Sequence, residues 1–533
     1  MTNLDCVLIG FNEIDFADFA TAQEVFQESS GAYRELVTNS VLVGDRRLTY
    51  MDLLNKAMER TTGRPSALTA FEMPSLGVAY LASFLMRRGF GVGVVNFFNT
   101  GRDELAAMLA ESPRAVAITT TYYVDDEPIR QIIRFIREHN PAVPIVVGGP
   151  RVHNLCSGQP PAVQDILLDS IGADVYIDES QGEATLAGVL TALREGGDLS
   201  KVPNLIYRGA PGQRSMDRTL KRPESNDLNE NAVDWSYFEP GFYTPTTYLR
   251  TARSCSFGCA FCNYPAMAGP LTLSDLSTIE NELRYLCEHG AQNLIVVDDT
   301  FNVPLPRFKQ ICRMMIENKF DLRWVSFFRC SNADDEAFDL MAEAGCMGVF
   351  LGIESGDQRI LKNMTKFAKT DRYEYGIEQL TKRGLVTLAS IVLGFPGENE
   401  ESVQNTLDFV NRTQPTFYNV QLYYHDVLAP IEKQREKYGI EGSGYSWRHS
   451  SMSWQEAVEH KDDFVRGVTG SALMPLYGLS IWCIPYLLSK GLTMSQITEF
   501  TRAATQLVVK GLNADYLDPE EGIDSVVRAL ASA

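Results

Sequence analysis

No stretch of this sequence stays apolar for long. The longest, Ala472 to Leu488, is broken by Pro475, Gly478 and Pro485, and falls short of the roughly 20 residues that cross a bilayer. Buried helices are expected there, and no membrane partner. Positive charge is also in short supply: 48 Lys and Arg face 68 Asp and Glu, a net charge of −20. Binding to a phosphate backbone rests on Lys and Arg, so nucleic acid is not an expected partner. The opening Met1-Thr2-Asn3-Leu4-Asp5 has no basic region followed by an apolar stretch. No export signal is expected, and the cytoplasm is the expected compartment. The cysteines lack a disulfide framework. Seven of the ten, Cys6, Cys156, Cys287, Cys312, Cys330, Cys346 and Cys483, are scattered, as in a reducing compartment, and read as small buried hydrophobes.

The other three cysteines sit together. Cys255, Cys259 and Cys262 fall in the run Arg253-Ser254-Cys255-Ser256-Phe257-Gly258-Cys259-Ala260-Phe261-Cys262-Asn263. A closed structural zinc site asks for four ligands, commonly in two separated pairs, and no second pair occurs. Fe–S clusters are held by cysteine thiolates, normally four. Three would hold three irons of a four-iron cluster and leave the fourth corner for a small molecule.

At 533 residues, with 45% hydrophobic and 22% charged residues, the chain reads as a soluble globular protein of two or three domains. Its first part alternates short β-rich runs with helical patterns, the signal for a parallel α/β sheet. Strands are expected at Cys6 to Gly10, Val92 to Phe97, Ala115 to Thr119, Pro144 to Gly149 and Asp174 to Ile177. Helices are expected over Leu76 to Arg88 and Pro128 to His139. Ligands of such sheets sit at the carboxyl ends of the strands, which singles out Thr119, Thr120, Thr121, Tyr122, Gly148, Gly149, Pro150, Gly182 and Glu183. Taken singly, each glycine could equally end a strand or helix. From Pro211 to about Glu239 the chain is polar and strand-poor, a plausible linker. A second domain begins near Thr247, with strands at Asn293 to Val297, Trp324 to Phe328, Gly348 to Gly352, Thr387 to Leu393 and Phe417 to Tyr423. Helical stretches separate them, as in a partial (β/α) barrel whose site lies at the carboxyl ends of its strands.

C-x3-C-x2-C with an aromatic residue before the last cysteine resembles the signature of the radical S-adenosylmethionine (SAM) enzymes. The resemblance implies a [4Fe–4S] cluster on Cys255, Cys259 and Cys262, its open iron chelating SAM, and an external electron donor such as flavodoxin or ferredoxin. Gly352-Ile353-Glu354-Ser355-Gly356 resembles the segment that meets the SAM amino and ribose groups. Val392-Leu393-Gly394-Phe395-Pro396-Gly397-Glu398 resembles the segment near adenine. There Glu398 falls one position late and is assigned no contact, so Gly394 stands for the segment. Phe261 and Asn263 lie where the family places adenine contacts, and Arg329 ends a strand near the expected SAM carboxylate. Outside that context Glu354 would read as a cap or ion-pair partner, and Arg329 as a surface ion pair. Asp298-Asp299 could cap a helix, orient substrate or hold a second metal.

The first 210 residues or so resemble the cobalamin-binding domain of class B radical SAM enzymes, most strongly in Pro74-Ser75-Leu76-Gly77-Val78-Ala79-Tyr80-Leu81-Ala82 and Val147-Gly148-Gly149-Pro150. Cofactor contacts are implied at Ser75, Leu76, Thr119, Thr120, Tyr122, Gly148, Gly149, Pro150, Arg151, Gly182 and Glu183. The D-x-H-x-x-G motif that supplies a lower histidine ligand is absent. Phe11-Asn12-Glu13-Ile14-Asp15 follows the first strand instead, so base-off cobalamin without a histidine ligand is expected, His153 being the one to test that. Expected domains are therefore residues 1–215 (Rossmann-like, cobalamin-binding), 240–430 (radical SAM partial (β/α)6 barrel) and 431–533 (mainly helical, contributing to the substrate site). Leu4-Asp5-Cys6-Val7-Leu8-Ile9-Gly10-Phe11-Asn12-Glu13 and Ser30-Gly31-Ala32-Tyr33-Arg34 resemble the phosphinate P-methyltransferase group, which includes antibiotic-tailoring C-methyltransferases. Methyl transfer from methylcobalamin to carbon or phosphorus of a small natural-product intermediate is implied. A cobalamin-dependent rearrangement or cyclisation, and methylation of a peptide, are the alternatives.

Overall fold

Short runs rich in Val and Ile, each followed by a helix, build the first sheet. In the computed structural model, which describes residues 4–24, 30–121, 123, 125–209, 215–513 and 518–532, these strands are β1 (Cys6–Phe11), β2 (Val92–Phe97), β3 (Ala115–Thr119), β4 (Ile145–Gly148), β5 (Val175–Ile177), β6 (Leu205–Tyr207) and β7 (Asp217–Arg218). Their order is β2-β1-β3-β4-β5-β6-β7. The first five are parallel, and β6 and β7 close one edge antiparallel. Residues alternate along each strand between two apolar layers, as a sheet covered on both faces requires. Val7, Ile9, Val116 and Ile118 enter one core; Cys6, Leu8, Ala115 and Ala117 enter the other.

The second sheet is the barrel wall: β8 (Thr246–Leu249), β9 (Asn293–Val296), β10 (Arg323–Phe328), β11 (Cys346–Glu354), β12 (Val386–Leu393), β13 (Phe417–Leu422) and the two-residue β14 (Ala472–Leu473). They pair in chain order, all parallel. The expected six-strand partial barrel is thus present, with β14 added at its edge. Beyond residue 430 the described residues form the helices Trp454–Gly467, Met494–Leu512 and Pro519–Ser532, the shorter Arg435–Tyr438 and Ile484–Ser489, and a small antiparallel sheet of Glu441–Ser443, Ser446–His449 and Met452–Ser453. Among the described residues no helix is long and apolar enough to cross a membrane.

The compact units cut the chain differently from the three expected segments. One comprises Met1–Ile14 and Phe71–Tyr243, the other Asp15–Ala70 and Thr244–Ala533. The first segment is therefore interrupted, and residues 15–70 leave the first sheet after β1 to pack in the barrel unit. The segment from 211 to 239 is also no free linker. Its described part is pinned to the first unit by buried Met216, Leu228, Val233 and Trp235, and the Glu224 carboxylate accepts the N–H groups of Ala184 and Thr185. These anchors are too widely spaced to show a strand or helix period.

Electrostatics inside the barrel unit explain the run around Ser30. Ser30 caps the helix Gly31–Thr38, accepting the N–H of Tyr33. A Cβ on Gly31 would meet the Tyr445 carbonyl oxygen at 2.4 Å. Arg34 pairs with Asp462 and Glu35 with Lys461. The Glu35 carboxylate also accepts the N–H of Leu422 at 2.8 Å, at the end of β13 where β14 no longer pairs. Lys461 and Glu35 are both buried, and removing one partner of such a pair leaves an uncompensated charge. Lys461→Met is expected to cost the barrel unit about 3–5 kcal/mol, read as a lowered urea midpoint in tryptophan fluorescence; an unchanged midpoint would show that Glu35 finds another partner.

Candidate functional site

A buried carboxylate starts the cysteine loop. Asp298, just past β9, accepts hydrogen bonds from the backbone N–H groups of Thr251 (2.6 Å) and Ala252 (2.9 Å) and from the Thr251 hydroxyl. Arg307 donates to the Thr251 and Ser274 carbonyl oxygens from the other side. Asp298 is thereby a backbone clamp. Burial pushes the neighbouring Asp299 carboxyl up to about 6 against the pull of Arg250. Ser254 takes a left-handed φ of 72° and turns the chain into Cys255. Further along, the Ala260 N–H bonds to the Met364 carbonyl (2.8 Å) and its own carbonyl accepts the Ile431 N–H (2.9 Å). The loop is thus held at its start and at its middle.

All three thiols are free. Burial pushes Cys259 up and Cys262 up to about 11, against the attraction of Lys366 and Arg329 at Cys259. Among the described residues no three His, Cys, Asp or Glu side chains converge on one ion. A cubane asks instead for one thiolate at each iron, and three thiols on a short clamped loop suit that.

Charged groups from the neighbouring strand ends surround the loop. Arg329 follows β10 with its guanidinium carbon 3.7 Å from the centroid of Phe257. It donates to the Lys366 carbonyl oxygen, its Nε is buried without a partner, and Asn302 bonds both its N–H (2.9 Å) and its carbonyl (3.0 Å). Such an orphaned donor fits an anionic group of a ligand. Glu354, at φ 65°, pairs with Lys366 at 2.7 Å. A Cβ on Gly352 would stand 2.6 Å from the Glu354 Oε1 and 3.0 Å from the Lys366 Nζ, so only glycine leaves room for the pair. Phe261 lies edge-on to Phe395 at 6.5 Å. Asn263 opens the helix Tyr264–Ala268 without a side-chain cap. Ser355 is fully buried and its hydroxyl is bonded to Thr406 and the Asp357 N–H. Gly394 is enclosed: Glu398 accepts its N–H, His449 bonds its carbonyl, and a Cβ would meet Trp447 at 2.5 Å.

Strand alternation defines the lumen of the barrel. On β10, Phe328 packs against Phe308 and Phe338 of the outer helices, so Phe327 and Arg329 face inward. Phe350 is paired with Phe327, and Asn419 with Ser390, which in turn is paired with Gly352. Phe327, Phe350 and Trp482 touch one another, at 5.0, 4.5 and 5.9 Å between rings. All three are only partly buried, whereas a filled barrel would bury them. Asn419 is 2% exposed, yet its amide nitrogen has no partner.

In the first unit the expected residues gather at the carboxyl ends of β3, β4 and β5. The Thr120 hydroxyl donates to the Gly148 carbonyl (2.9 Å) and accepts the Arg151 N–H (3.1 Å). Gly149, at φ 109°, lies so close that a Cβ would meet the Thr120 oxygen at 2.8 Å. Thr119 faces the Ile9 and Gly10 carbonyls. Pro150 opens the helix Pro150–Cys156, and Arg151 pairs with Asp126 at 2.7 Å. Gly182 precedes the helix Glu183–Glu195, and Asn226 holds Glu183. Ser75 is buried and caps the helix Leu76–Met86, accepting the N–H of Val78. Leu76, its first residue, is half-buried. Tyr122 lies outside the described residues. The tight Thr120–Gly149 packing and the half-buried Gly148 and Gly149 suit a cradle for a large flat ligand.

Residues 249–410 match the Radical SAM superfamily and residues 67–177 the B12 binding domain. The chain thus carries a radical SAM domain and a B12 binding domain, and is similar to methyltransferases. An uncharacterized methyltransferase of Pyrococcus horikoshii is 26% identical over 64% of this chain and 73% of its own. The anaerobic magnesium-protoporphyrin IX monomethyl ester cyclase of Rubrivivax gelatinosus is 23% identical over 69% and 68%. Among solved structures, the radical SAM methyltransferase TsrM of Kitasatospora setae, with cobalamin and a [4Fe–4S] cluster bound, has the same fold, at TM-score 0.59, 18% identity and coverage of 86% and 97%; TsrM is also known with tryptophan substrate and a SAM analogue. This radical SAM enzyme uses a [4Fe–4S] cluster, SAM and cobalamin.

Sequence patterns offered no signal for Lys366, Asn302, Trp447 or Asn419, whose partners are remote in the chain. The unassigned Glu398 has a structural role. It is wholly buried, one of its oxygens has no partner, and burial lifts its carboxyl from 4.5 to about 8 despite the N–H groups of Gly394 and Phe395. The folded state therefore holds a proton that the unfolded chain releases above its ordinary value. Stability is greatest below pH 4.5 on this account and is lost as pH rises towards 8. Glu398→Gln is expected to flatten the fall in Tm between about pH 5 and 8; identical profiles in the two proteins would refute this.

Proposed function

We propose that this radical SAM enzyme transfers a methyl group to carbon or phosphorus of a small natural-product intermediate, such as an antibiotic precursor, bound in the barrel lumen. The observation that carries this reading is the partly open aromatic group of Phe327, Phe350 and Trp482 inside the barrel wall. When bound, the cluster, SAM and cobalamin supply one-electron cleavage of SAM and a methyl group for a centre that ordinary displacement does not reach.

The chain's own residues bind, orient and exclude water. Cys255, Cys259 and Cys262 hold the cluster. Arg329 directs its unpaired Nε–H at the SAM carboxylate, a charge-assisted contact. Glu354 keeps one oxygen on Lys366 and offers the other to the SAM ammonium or ribose. Phe261 and Asn263 flank the adenine. The aromatic group stacks on the acceptor, and the Asn419 amide donates to an acceptor oxygen or nitrogen. Tryptophan, bound by TsrM, is a molecule of the class such a group suits.

In the first unit, Thr119, Thr120, Gly148, Gly149, Pro150, Arg151, Gly182 and Glu183 cradle cobalamin, base-off and without a histidine ligand. Two observations support that coordination. His153 has Nε2 3.1 Å from the Ser157 hydroxyl and Nδ1 3.7 Å from Asp178. The unit's other histidine, His139, ends the helix Glu127–His139 that runs from β3 back to the start of β4, at the amino ends of the strands. The domains read as this cobalamin-binding unit and the barrel, with residues 431–533 supplying Trp482 to the substrate site. Flavodoxin or ferredoxin in the cytoplasm delivers the electron. The likeness to a cyclase favours cyclisation without net methylation as the second reading.

Methylated product formed together with S-adenosylhomocysteine and 5′-deoxyadenosine is the expected result with the true acceptor; 5′-deoxyadenosine with an unmethylated, rearranged product would favour the second reading. Phe350→Leu is expected to raise the acceptor KM about three- to tenfold, since such aromatic contacts contribute about 0.5–1.5 kcal/mol, while SAM affinity stays put. Loss of SAM binding instead would place Phe350 in the wrong subsite.

A further inference from the structure

Lys366 lies outside the segments singled out from the sequence, and the chain around it is strained. Thr365 and Phe367, on either side, have left-handed φ values of 54° and 50°. A β-branched residue rarely adopts that conformation, and strain of this kind persists only where surrounding structure enforces it. The result is a sharp inversion. Phe367 points outward, 82% exposed, while Lys366 points inward, 7% exposed. A buried lysine is costly unless paired, and an apolar side chain commonly serves stability as well or better in such a place. Here the apolar residue is outside and the charge inside.

The charge goes to the cluster site. Lys366 Nζ lies 2.7 Å from Glu354 Oε1 and 5.7 Å from the centroid of Phe261, the residue before Cys262. Its carbonyl oxygen accepts a hydrogen bond from Arg329, and both cations act on Cys259. Gly352 and the left-handed Glu354 are shaped around the pair, as the absent Cβ shows.

We propose that Lys366 is a positioning residue that fixes Glu354 in place and, by its charge, raises the reduction potential of the [4Fe–4S] cluster. A cluster held by three thiolates takes up an electron more readily beside a fixed cation and less readily beside an uncompensated anion, because local net charge is a main lever on its potential. The effect is large where water is excluded. Lys366 and Glu354 therefore act with opposite signs. The inference requires the cluster but not the identity of the methyl acceptor, so it can fail while the proposed function stands, and the reverse.

The test is an anaerobic potentiometric titration without SAM, followed by the EPR signal of the reduced cluster, on protein of verified iron and sulfide content. Lys366→Met is expected to lower the ratio of reduced to oxidised cluster about tenfold at the parent's midpoint, equivalent to about 59 mV for one electron. Lys366→Arg, which keeps the charge, is expected to stay near the parent, and Glu354→Gln to shift the potential upward. A purely structural Lys366 would give no such pair of opposite shifts. Equal potentials in all four proteins, or Lys366→Met and Glu354→Gln shifting the same way, would overturn the proposal. Should Lys366→Met fail to hold a cluster, Glu354→Gln decides alone: an unchanged or lowered potential overturns it.

Discussion

The backbone of the cysteine loop, the candidate cluster site, is tied down at its start and at its middle. Asp298 anchors its start through Thr251 and Ala252, and Met364 and Ile431 grip Ala260 between two of the cysteines. Each tie satisfies backbone groups that would otherwise be buried without partners, at a cost of roughly 1–3 kcal/mol each. A loop held in this way presents three thiols without further ordering on binding. Orders of magnitude in rate rest on such placement.

The same economy runs through the barrel rim. Glycine at 352 makes room for a carboxylate and an ammonium. Arg329 is oriented by Asn302 on its backbone and by Phe257 beneath its guanidinium, leaving one donor free. Glu398 serves the backbone, accepting the Gly394 N–H. The inserted residues 15–70 add Glu35, whose carboxylate completes the hydrogen bonding of β13 where its neighbour strand ends. An insertion that leaves one unit to finish another explains why the run Ser30-Gly31-Ala32-Tyr33-Arg34 has so specific a composition.

Much of the fold was legible from local pattern. β1 to β5 and β9 to β13 lie within a few residues of the runs expected, because parallel strands buried on both faces are short, apolar and bounded by glycine or polar residues. Segments held by isolated contacts were not legible. The stretch after residue 215 looks like a linker because its anchors Leu228, Val233 and Trp235 follow no period, and residues 15–70 carry no mark of the unit they join.

For the site the division is equally physical. The sequence by itself determined the candidate groups: three thiols at C-x3-C-x2-C spacing, the glycines at 148, 149 and 352, and the carboxylate at 354, since each lies in a short local run. Only the tertiary structure decided the electrostatic and steric surroundings. Lys366 meets Glu354 through a strained return of the chain, Asn419 shares a layer with Gly352 through strand register, and Trp482 reaches Phe327 from a segment far along the sequence. Contacts between residues so remote are set by packing, and no local pattern records them.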